Sequence, residues 1–222
     1  MFTTNEFADG KPRRVPRWML PIVVVVVVLV VAVIAWRIVE RPDAGTATSS
    51  TTTPVGPDPV TAPKGIEWRQ VNGVKLPFGI DGPTRTDGPR AVGFAHSPQG
   101  AVLAAWQIST RLMTDNRFEQ ILNTQVRADL NQQQQIRDAV TQVRNFDSTQ
   151  FAMAFPAPIG FRVEFYSPSF ARIYFAVPSA KNGGYDFERR AVLWDRGDWQ
   201  YQADSDLPPL PNATTLTGFT TF

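Results

Sequence analysis

Residues 161–177 read FRVEFYSPSFARIYFAV, and this stretch sets the class of fold. Apolar side chains recur along it at every second position, with polar or aromatic neighbours between them. The apolar positions are Phe161, Val163, Phe165, Ile173, Phe175 and Val177. A period of two is typical of a strand with one buried face, so the stretch predicts two half-buried strands.

The chain continues through two further predicted strands, Phe187–Asp195 and Asp198–Asp204, which Arg196-Gly197 joins. If that loop has two residues, Trp194 faces Trp199 across the ladder, and aromatic pairs of this kind stabilise sheets. The second half of the domain is therefore predicted to be an antiparallel meander.

Upstream of residue 146 the patterns are helical. Ser97-Pro98 is a typical helix start, and the helix that follows it is apolar on nearly every side, which predicts that it is buried. Two amphipathic helices are expected at about Asp115–Val126 and about Leu130–Arg144. Helices followed by an antiparallel meander define an α+β fold, with about three helices packed on a curved sheet.

A hairpin is predicted ahead of these helices. Asn72-Gly73 lies between the alternating runs Ile66–Val71 and Val74–Phe78, and it readily adopts the positive φ angles of a two-residue turn. Residues Gly79 to Pro89 are expected to form a loop.

The N-terminus carries a different signal, a run of nineteen uncharged residues from Trp18 to Trp36. A helix of that length crosses a hydrocarbon core of about 30 Å, and tryptophans at its two ends suit the membrane interfaces. A cleaved signal peptide is the alternative, but Val33-Ile34-Ala35 is a poor cleavage site and the run is too long. The basic residues before the run place the N-terminus in the cytoplasm by the positive-inside rule. They are Lys11, Arg13, Arg14 and Arg17.

These patterns divide the chain into five segments and place it in the cell membrane as a single-pass protein with an extracytoplasmic domain. The stretch 42–63 is rich in Pro, Thr and Ser and has almost nothing to bury, as expected of an extended spacer. The predicted segments are a cytoplasmic tail (1–17), a transmembrane helix (18–38), a linker (39–63), an α+β domain (64–206) and a flexible tail (207–222).

Composition excludes several kinds of chemistry. The 222 residues include no Cys and one His, which excludes disulfides, thiol catalysis and a four-ligand zinc site. Of 22 basic and 20 acidic residues, four and two precede the apolar run, so the remainder is neutral and direct nucleic-acid binding is disfavoured.

No catalytic, cofactor-binding or metal-binding residue is predicted. His96 beside Ser97 is disfavoured as a catalytic pair because adjacent residues rarely face each other, and no phosphate-binding glycine loop occurs. Asp195 with Asp198, and Asp204 with Asp206, are interpreted as turn residues that bond their own backbone. Six aromatic residues are the candidates for an interface or a pocket. They are Trp106, Tyr166, Tyr174, Trp194, Trp199 and Tyr201.

Two stretches resemble a known family. Residues 77–106, PFGIDGPTRTDGPRAVGFAHSPQGAVLAAW, and residues 194–199, WDRGDW, resemble actinobacterial single-span proteins associated with integrative and conjugative elements. The resemblance covers about residues 11–40 and 74–205. The layout is similar to that of the bitopic assembly factor of type IV secretion and of TcpC-like conjugation proteins, whose exported domain has the NTF2-like (cystatin-like) fold.

The resemblance implies a non-enzymatic scaffold or assembly component of a conjugative DNA-transfer apparatus. Its partners would be the lipid bilayer and other membrane proteins of the transfer or envelope complex, with a homo-oligomer as a further possibility. The alternative is a Mce-associated-like accessory protein of the cell envelope that binds a lipid or small ligand. A deep apolar pocket would favour the alternative, whereas a closed core with an outer groove would favour the scaffold.

Overall fold

The computed structural model describes residues 60–180 and 183–222. The predicted cytoplasmic tail, membrane span and linker as far as residue 59 lie outside the described residues. Within the described part of the chain, no helix is long and apolar enough to cross a membrane.

The described residues form an α+β domain with four helices and ten strands, which confirms the predicted class. The strands are β1 (Glu67–Val71), β2 (Val74–Phe78), β3 (Arg85–Asp87), β4 (Arg90–Val92), β5 (Val126–Arg127), β6 (Gly160–Ser167), β7 (Phe170–Pro178), β8 (Tyr185–Asp195), β9 (Asp198–Gln202) and β10 (Thr220–Thr221). The helices are α1 (Pro98–Thr114), α2 (Phe118–Gln125), α3 (Leu130–Val143) and α4 (Ser148–Ala154).

Six strands form the main sheet in the order β10-β6-β7-β8-β9-β5. The predicted antiparallel meander is confirmed for β6 to β9, including the Trp194–Trp199 pair across the Arg196-Gly197 turn. The sheet as a whole is mixed, however, because β5 pairs with β9 in parallel. This two-residue strand follows α2 directly, so its direction is set by the packing of that helix and not by a local turn.

The N-terminal hairpin has the predicted geometry. Asn72 and Gly73 have φ angles of 50° and 83°, and Val71 pairs with Val74 on either side of them. The predicted loop after this hairpin differs from the structure, because β3 and β4 form a second short hairpin around Gly88, which also has a positive φ.

Helix α1 is the centre of the core. The Ser97 hydroxyl accepts the Gly100 N–H at 3.0 Å, which caps the helix as predicted. Residues 100–112 of the helix are all buried, since α1 contacts β6 to β9 on one side and α2 and α3 on another. Burial of each large apolar side chain contributes about 1.5–3 kcal/mol, so this helix anchors the domain.

The other helices have local caps. Helix α2 starts three residues later than predicted, because the Asp115 carboxylate accepts the Arg117 N–H and holds a turn there. Helix α3 begins with a capping box formed by Asp129 and Gln132. Helix α4 was not predicted, although Asp147 and its partner Gln150 form a second capping box.

Strand β6 contains an irregularity that changes which side chains face the core. The register with β7 shifts between Val163 and Phe165. The predicted inward position of Phe165 is therefore wrong: it lies on the outer face of the sheet and is 42% exposed. Tyr166 faces inward instead, 6.2 Å from Trp199 between ring centroids.

Residues 207–222, which we call the C-terminal strap, differ from the expected flexible tail. They pass along the outer face of the sheet, where Ala213 bridges to Tyr185, and they end as β10 on the edge of β6. The final side chain, Phe222, packs against Trp68 and Phe161. The strap contacts β6, β7 and β8 at irregular intervals along its length, so its sequence shows no periodicity.

Candidate functional site

A polar cluster lies on the helix-facing side of the sheet. Glu188 and Arg190 are two positions apart on β8, so they share this face, and their side chains form an ion pair. The Arg190 guanidinium also lies beside Tyr201 and 5.5 Å from the centroid of the Trp106 ring of α1. Cation–π contacts of this kind are favourable.

The cluster is held in a largely buried setting. The Arg190 and Glu188 side chains are 19% and 27% exposed, and Trp106 is 3% exposed. Burial alone would lower the pKa of Arg190, but the negative charge of Glu188 and the Tyr201 hydroxyl outweigh it and raise that pKa. The arginine therefore stays charged at every accessible pH.

Two donors of this cluster have no acceptor among the described residues. They are the indole N–H of Trp106 and the Nε–H of Arg190, both buried from solvent. A buried donor without a partner costs about 1–3 kcal/mol. These two donors are therefore free to form hydrogen bonds with an acceptor on another molecule.

A second cluster surrounds His96, at the end of the sheet where the β8–β9 turn lies. The His96 ring stacks on Trp194 with 3.9 Å between centroids, and its Nε2 hydrogen-bonds with the Pro168 carbonyl. Trp199 stands edge-on to His96 and donates its indole N–H to the Ala95 carbonyl at 2.9 Å. These contacts fix the loop that precedes α1.

Ser97 does not contact His96 as a catalytic partner would. Its hydroxyl caps α1 and donates to the Asp81 carboxylate at 3.3 Å. Among the described residues, no group of three or more His, Asp or Glu could hold a metal ion.

The acidic residues bond their own backbone in part, as the turn interpretation predicts, and in part contact distant residues. The Asp198 carboxylate accepts the backbone N–H groups of Gly93, Phe94 and Trp199. Asp195 pairs with Arg127 and with Arg196. The Asp204 carboxylate accepts the Asp206 N–H at 3.1 Å, as the turn interpretation predicts.

An open groove of about 510 Å³ lies on the helical side of the domain. Arg144 borders it at the end of α3, and Phe151 of α4 packs against Gly73 of the first hairpin. Asp115 lies at its edge and accepts the Asn72 side-chain amide at 3.0 Å. The residues that line the groove are both polar and apolar. They are Gly73, Met113, Thr114, Asp115, Asn116, Val143, Arg144, Phe146, Asp147, Ser148, Phe151 and Ala152.

Asp115 is the titratable group most strongly tied into the groove. Burial alone would raise the pKa of its carboxyl group, but the Arg117 N–H, the Asn72 amide and the Arg117 charge together hold that pKa below the ordinary value. The carboxylate is therefore charged at neutral pH and joins the hairpin to the end of α1.

The outer face of the sheet is covered by the C-terminal strap. The Tyr174 hydroxyl donates to the Pro208 carbonyl at 2.7 Å, and Arg189 donates to the Leu207 carbonyl at 2.7 Å. Burial, together with the charge of Glu164, raises the pKa of Tyr174, so its hydroxyl remains a donor. Tyr174 is only 1% exposed and is therefore covered by the protein itself.

The six aromatic candidates thus separate into three places. Trp106 and Tyr201 both lie beside Arg190 in the polar cluster. Trp194 and Trp199 contact His96, and Tyr166 lies next to Trp199. Tyr174 lies under the strap on the opposite face. Sequence reasoning missed Glu188 and Arg190. Their strand was predicted, but neither of its faces is uniformly apolar, so nothing indicated which face is buried. The membrane-topology candidates precede residue 60 and lie outside the described residues. They are Lys11, Arg13, Arg14, Arg17, Trp18 and Trp36.

The described fold defines an α+β domain with a mixed six-stranded sheet and four helices. Residues 35–221 match the model of a family described as a domain of unknown function, DUF8175, and the chain belongs to this family. No curated protein and no solved structure matches the chain.

Proposed function

We propose that this chain is a non-enzymatic, single-pass membrane protein that serves as a scaffold or assembly component of a conjugative DNA-transfer apparatus of the type IV secretion kind. Its N-terminus lies in the cytoplasm, and its extracytoplasmic domain contacts other membrane proteins and no nucleic acid. The proposal rests on the resemblance of residues 77–106 and 194–199 to single-span proteins of conjugative elements.

One structural observation favours a contact role. Helix α1 fills the space over the sheet, with residues 100–112 all buried, whereas an open groove of about 510 Å³ lies on the helical side. A filled core with an outer groove suits a protein partner better than an enclosed apolar ligand.

We further propose that the domain is NTF2-like. Four helices that precede a meander, with α1 packed on the inner face of the sheet, support this assignment. The hairpin β1–β2 and the parallel edge strand β5 would be additions to that fold.

The groove offers a direct test by charge reversal. Arg144 is exposed at the groove, where it donates to the Asn116 carbonyl at 3.1 Å and lies over the Phe118 ring. Arg144→Glu changes the charge of this surface by two units. Arg85→Glu is the matched control, because Arg85 is exposed on β3 and does not line the groove.

Both variants are expressed as tagged full-length protein in the native host, and the recovery of co-purifying transfer proteins is measured together with conjugation frequency. We expect Arg144→Glu to lower both at least tenfold, since a like charge against a partner costs on the order of 1.4 kcal/mol or more. Arg85→Glu should leave both unchanged. Equal behaviour of the two variants would contradict the groove as the contact surface.

A second candidate function is that of a cell-envelope accessory protein that binds a lipid or small ligand. The observation in its favour is the pair of buried donors without acceptors, the Trp106 indole N–H and the Arg190 Nε–H. A ligand that co-purifies in stoichiometric amount, in the absence of protein partners, would support this function over the scaffold.

A further inference from the structure

The indole N–H of Trp106 is the strongest sign of an unfilled binding site. Trp106 is 3% exposed, its ring packs on Phe175 at 5.0 Å between centroids, and its N–H meets no acceptor in the described part of the chain. Buried indole N–H groups usually have a hydrogen-bond partner, because burying one without a hydrogen bond costs about 1–3 kcal/mol. An acceptor brought by another molecule would relieve this cost.

Arg190 lies beside this donor and restricts the chemistry of the ligand. Its charge is already balanced by Glu188, with which it forms an ion pair. A carboxylate or phosphate would therefore meet the negative charge of Glu188 in a poorly solvated place, which is unfavourable. A neutral oxygen avoids that repulsion.

The free Nε–H of Arg190 would not carry the argument by itself. The Nε atoms of Arg90, Arg162 and Arg172 also lack a described acceptor. What distinguishes Arg190 is the adjacent indole donor, because its guanidinium carbon lies 5.5 Å from the Trp106 centroid. A carbonyl oxygen has two lone pairs and accepts two such donors at once.

We propose that Trp106 and Arg190 form a binding site for the neutral carbonyl group of a small organic molecule or of an ester or amide head group. Both donor atoms are buried, and the Glu188 and Arg190 side chains beside them are 27% and 19% exposed, so the site lies just below the surface. The inference is independent of the DNA-transfer proposal, and it defines the ligand class for the second candidate function.

The test uses full-length protein in lipid nanodiscs with ¹⁵N-labelled tryptophan, which gives one indole N–H signal for each of the six tryptophans. Trp106→Phe identifies the signal of Trp106. The probes are 2-pentanone, a neutral carbonyl compound, and pentanoate, its anionic counterpart of equal chain length. We expect 2-pentanone to shift the Trp106 signal saturably, pentanoate to bind more weakly, and the Trp194 signal to stay constant.

Arg190→Lys separates the two donors without removing the charge that Glu188 pairs with, since lysine has no Nε–H at this position. We expect it to weaken 2-pentanone binding about tenfold, the equivalent of one hydrogen bond. The inference is overturned if 2-pentanone gives no saturable shift, if pentanoate binds as tightly, or if Arg190→Lys binds like the parent. A negative titration leaves the DNA-transfer proposal untouched, because the co-purification assay does not depend on Trp106.

Discussion

Asn72→Gly is expected to destabilise the domain by removing a single bond at the edge of the groove. Asn72 has a φ of 50°, which glycine adopts freely, so the turn itself should remain intact. The substitution removes the hydrogen bond from the Asn72 side-chain amide to the Asp115 carboxylate, which has a length of 3.0 Å. Asp115 is only 7% exposed. A hydrogen bond to a charged group contributes about 1.5–3 kcal/mol, and the bond from the Arg117 N–H remains, so we expect a loss of about 1–2 kcal/mol.

Arg196→Gly provides a matched control at the other two-residue turn. Arg196 has a φ of 53° and is followed by Gly197, but its side chain is exposed and makes only an ion pair with Asp195. The same backbone change is made there without the loss of a buried bond, so the free energy of unfolding should change by less than about 0.5 kcal/mol. The difference between the two variants isolates the contribution of the amide.

The assay is thermal unfolding of the full chain, followed by tryptophan fluorescence at pH 7, 5 and 3. A loss of 1–2 kcal/mol lowers the melting temperature by about 3–8 °C in a domain of this size. Because the folded-state pKa of Asp115 lies below its ordinary value of 3.8, the bond stabilises fully above that value and less as the pH falls through the lowered pKa. The deficit of Asn72→Gly should therefore shrink at pH 3. An equal deficit at all three pH values, or none, would refute this reasoning.

Two further substitutions test the packing. Phe222→Ala should lower the free energy of unfolding, measured in urea, by about 2–3 kcal/mol, because the Phe222 ring packs on Trp68 and Phe161. The control Phe165→Ala, on the exposed outer face, should lower it by less than about 1 kcal/mol. Equal costs would contradict the docking of the strap. Gly100→Ala should lower the free energy of unfolding by about 2 kcal/mol or more. The added methyl group would overlap the Ala95 carbonyl, which accepts the hydrogen bond from the Trp199 indole. A wild-type melting temperature for this variant would disprove that close contact.

Local signals predicted much of the fold. Asn72-Gly73 and Arg196-Gly197 define two-residue turns, Ser97 caps α1, and the Trp194–Trp199 pair follows from the length of one turn. Each of these depends only on neighbouring residues, which is why a single sequence is sufficient to predict them.

The features that were missed depend on distant contacts. Strand β5 has two residues and is defined by its pairing with β9, and β10 is defined by β6. Because of the irregularity after Val163, Phe165 lies on the outer face of the sheet and Tyr166 on the inner face, the opposite of what the alternating pattern predicts. Helix α4 is a different case, since its capping residues Asp147 and Gln150 were visible but the helix has only seven residues.

The candidate site was predicted less well than the fold. Trp106 and Tyr201 were selected for their aromatic character, and both lie beside Arg190, but Arg190 itself is on a strand with charged residues on both faces. Tyr174 was also selected, yet the strap covers it. A strap without periodicity gives no signal of the surface that it buries, so exposure could not be assigned from the sequence.

The most direct test of the scaffold proposal is extraction of the tagged full-length protein from its own host in a mild detergent, followed by mass spectrometry of co-purifying proteins and lipids. The proposal predicts recovery of a transfer ATPase or other channel subunits, and their loss on Arg144→Glu. Recovery of the protein alone, or with stoichiometric lipid and no channel subunit, would contradict it.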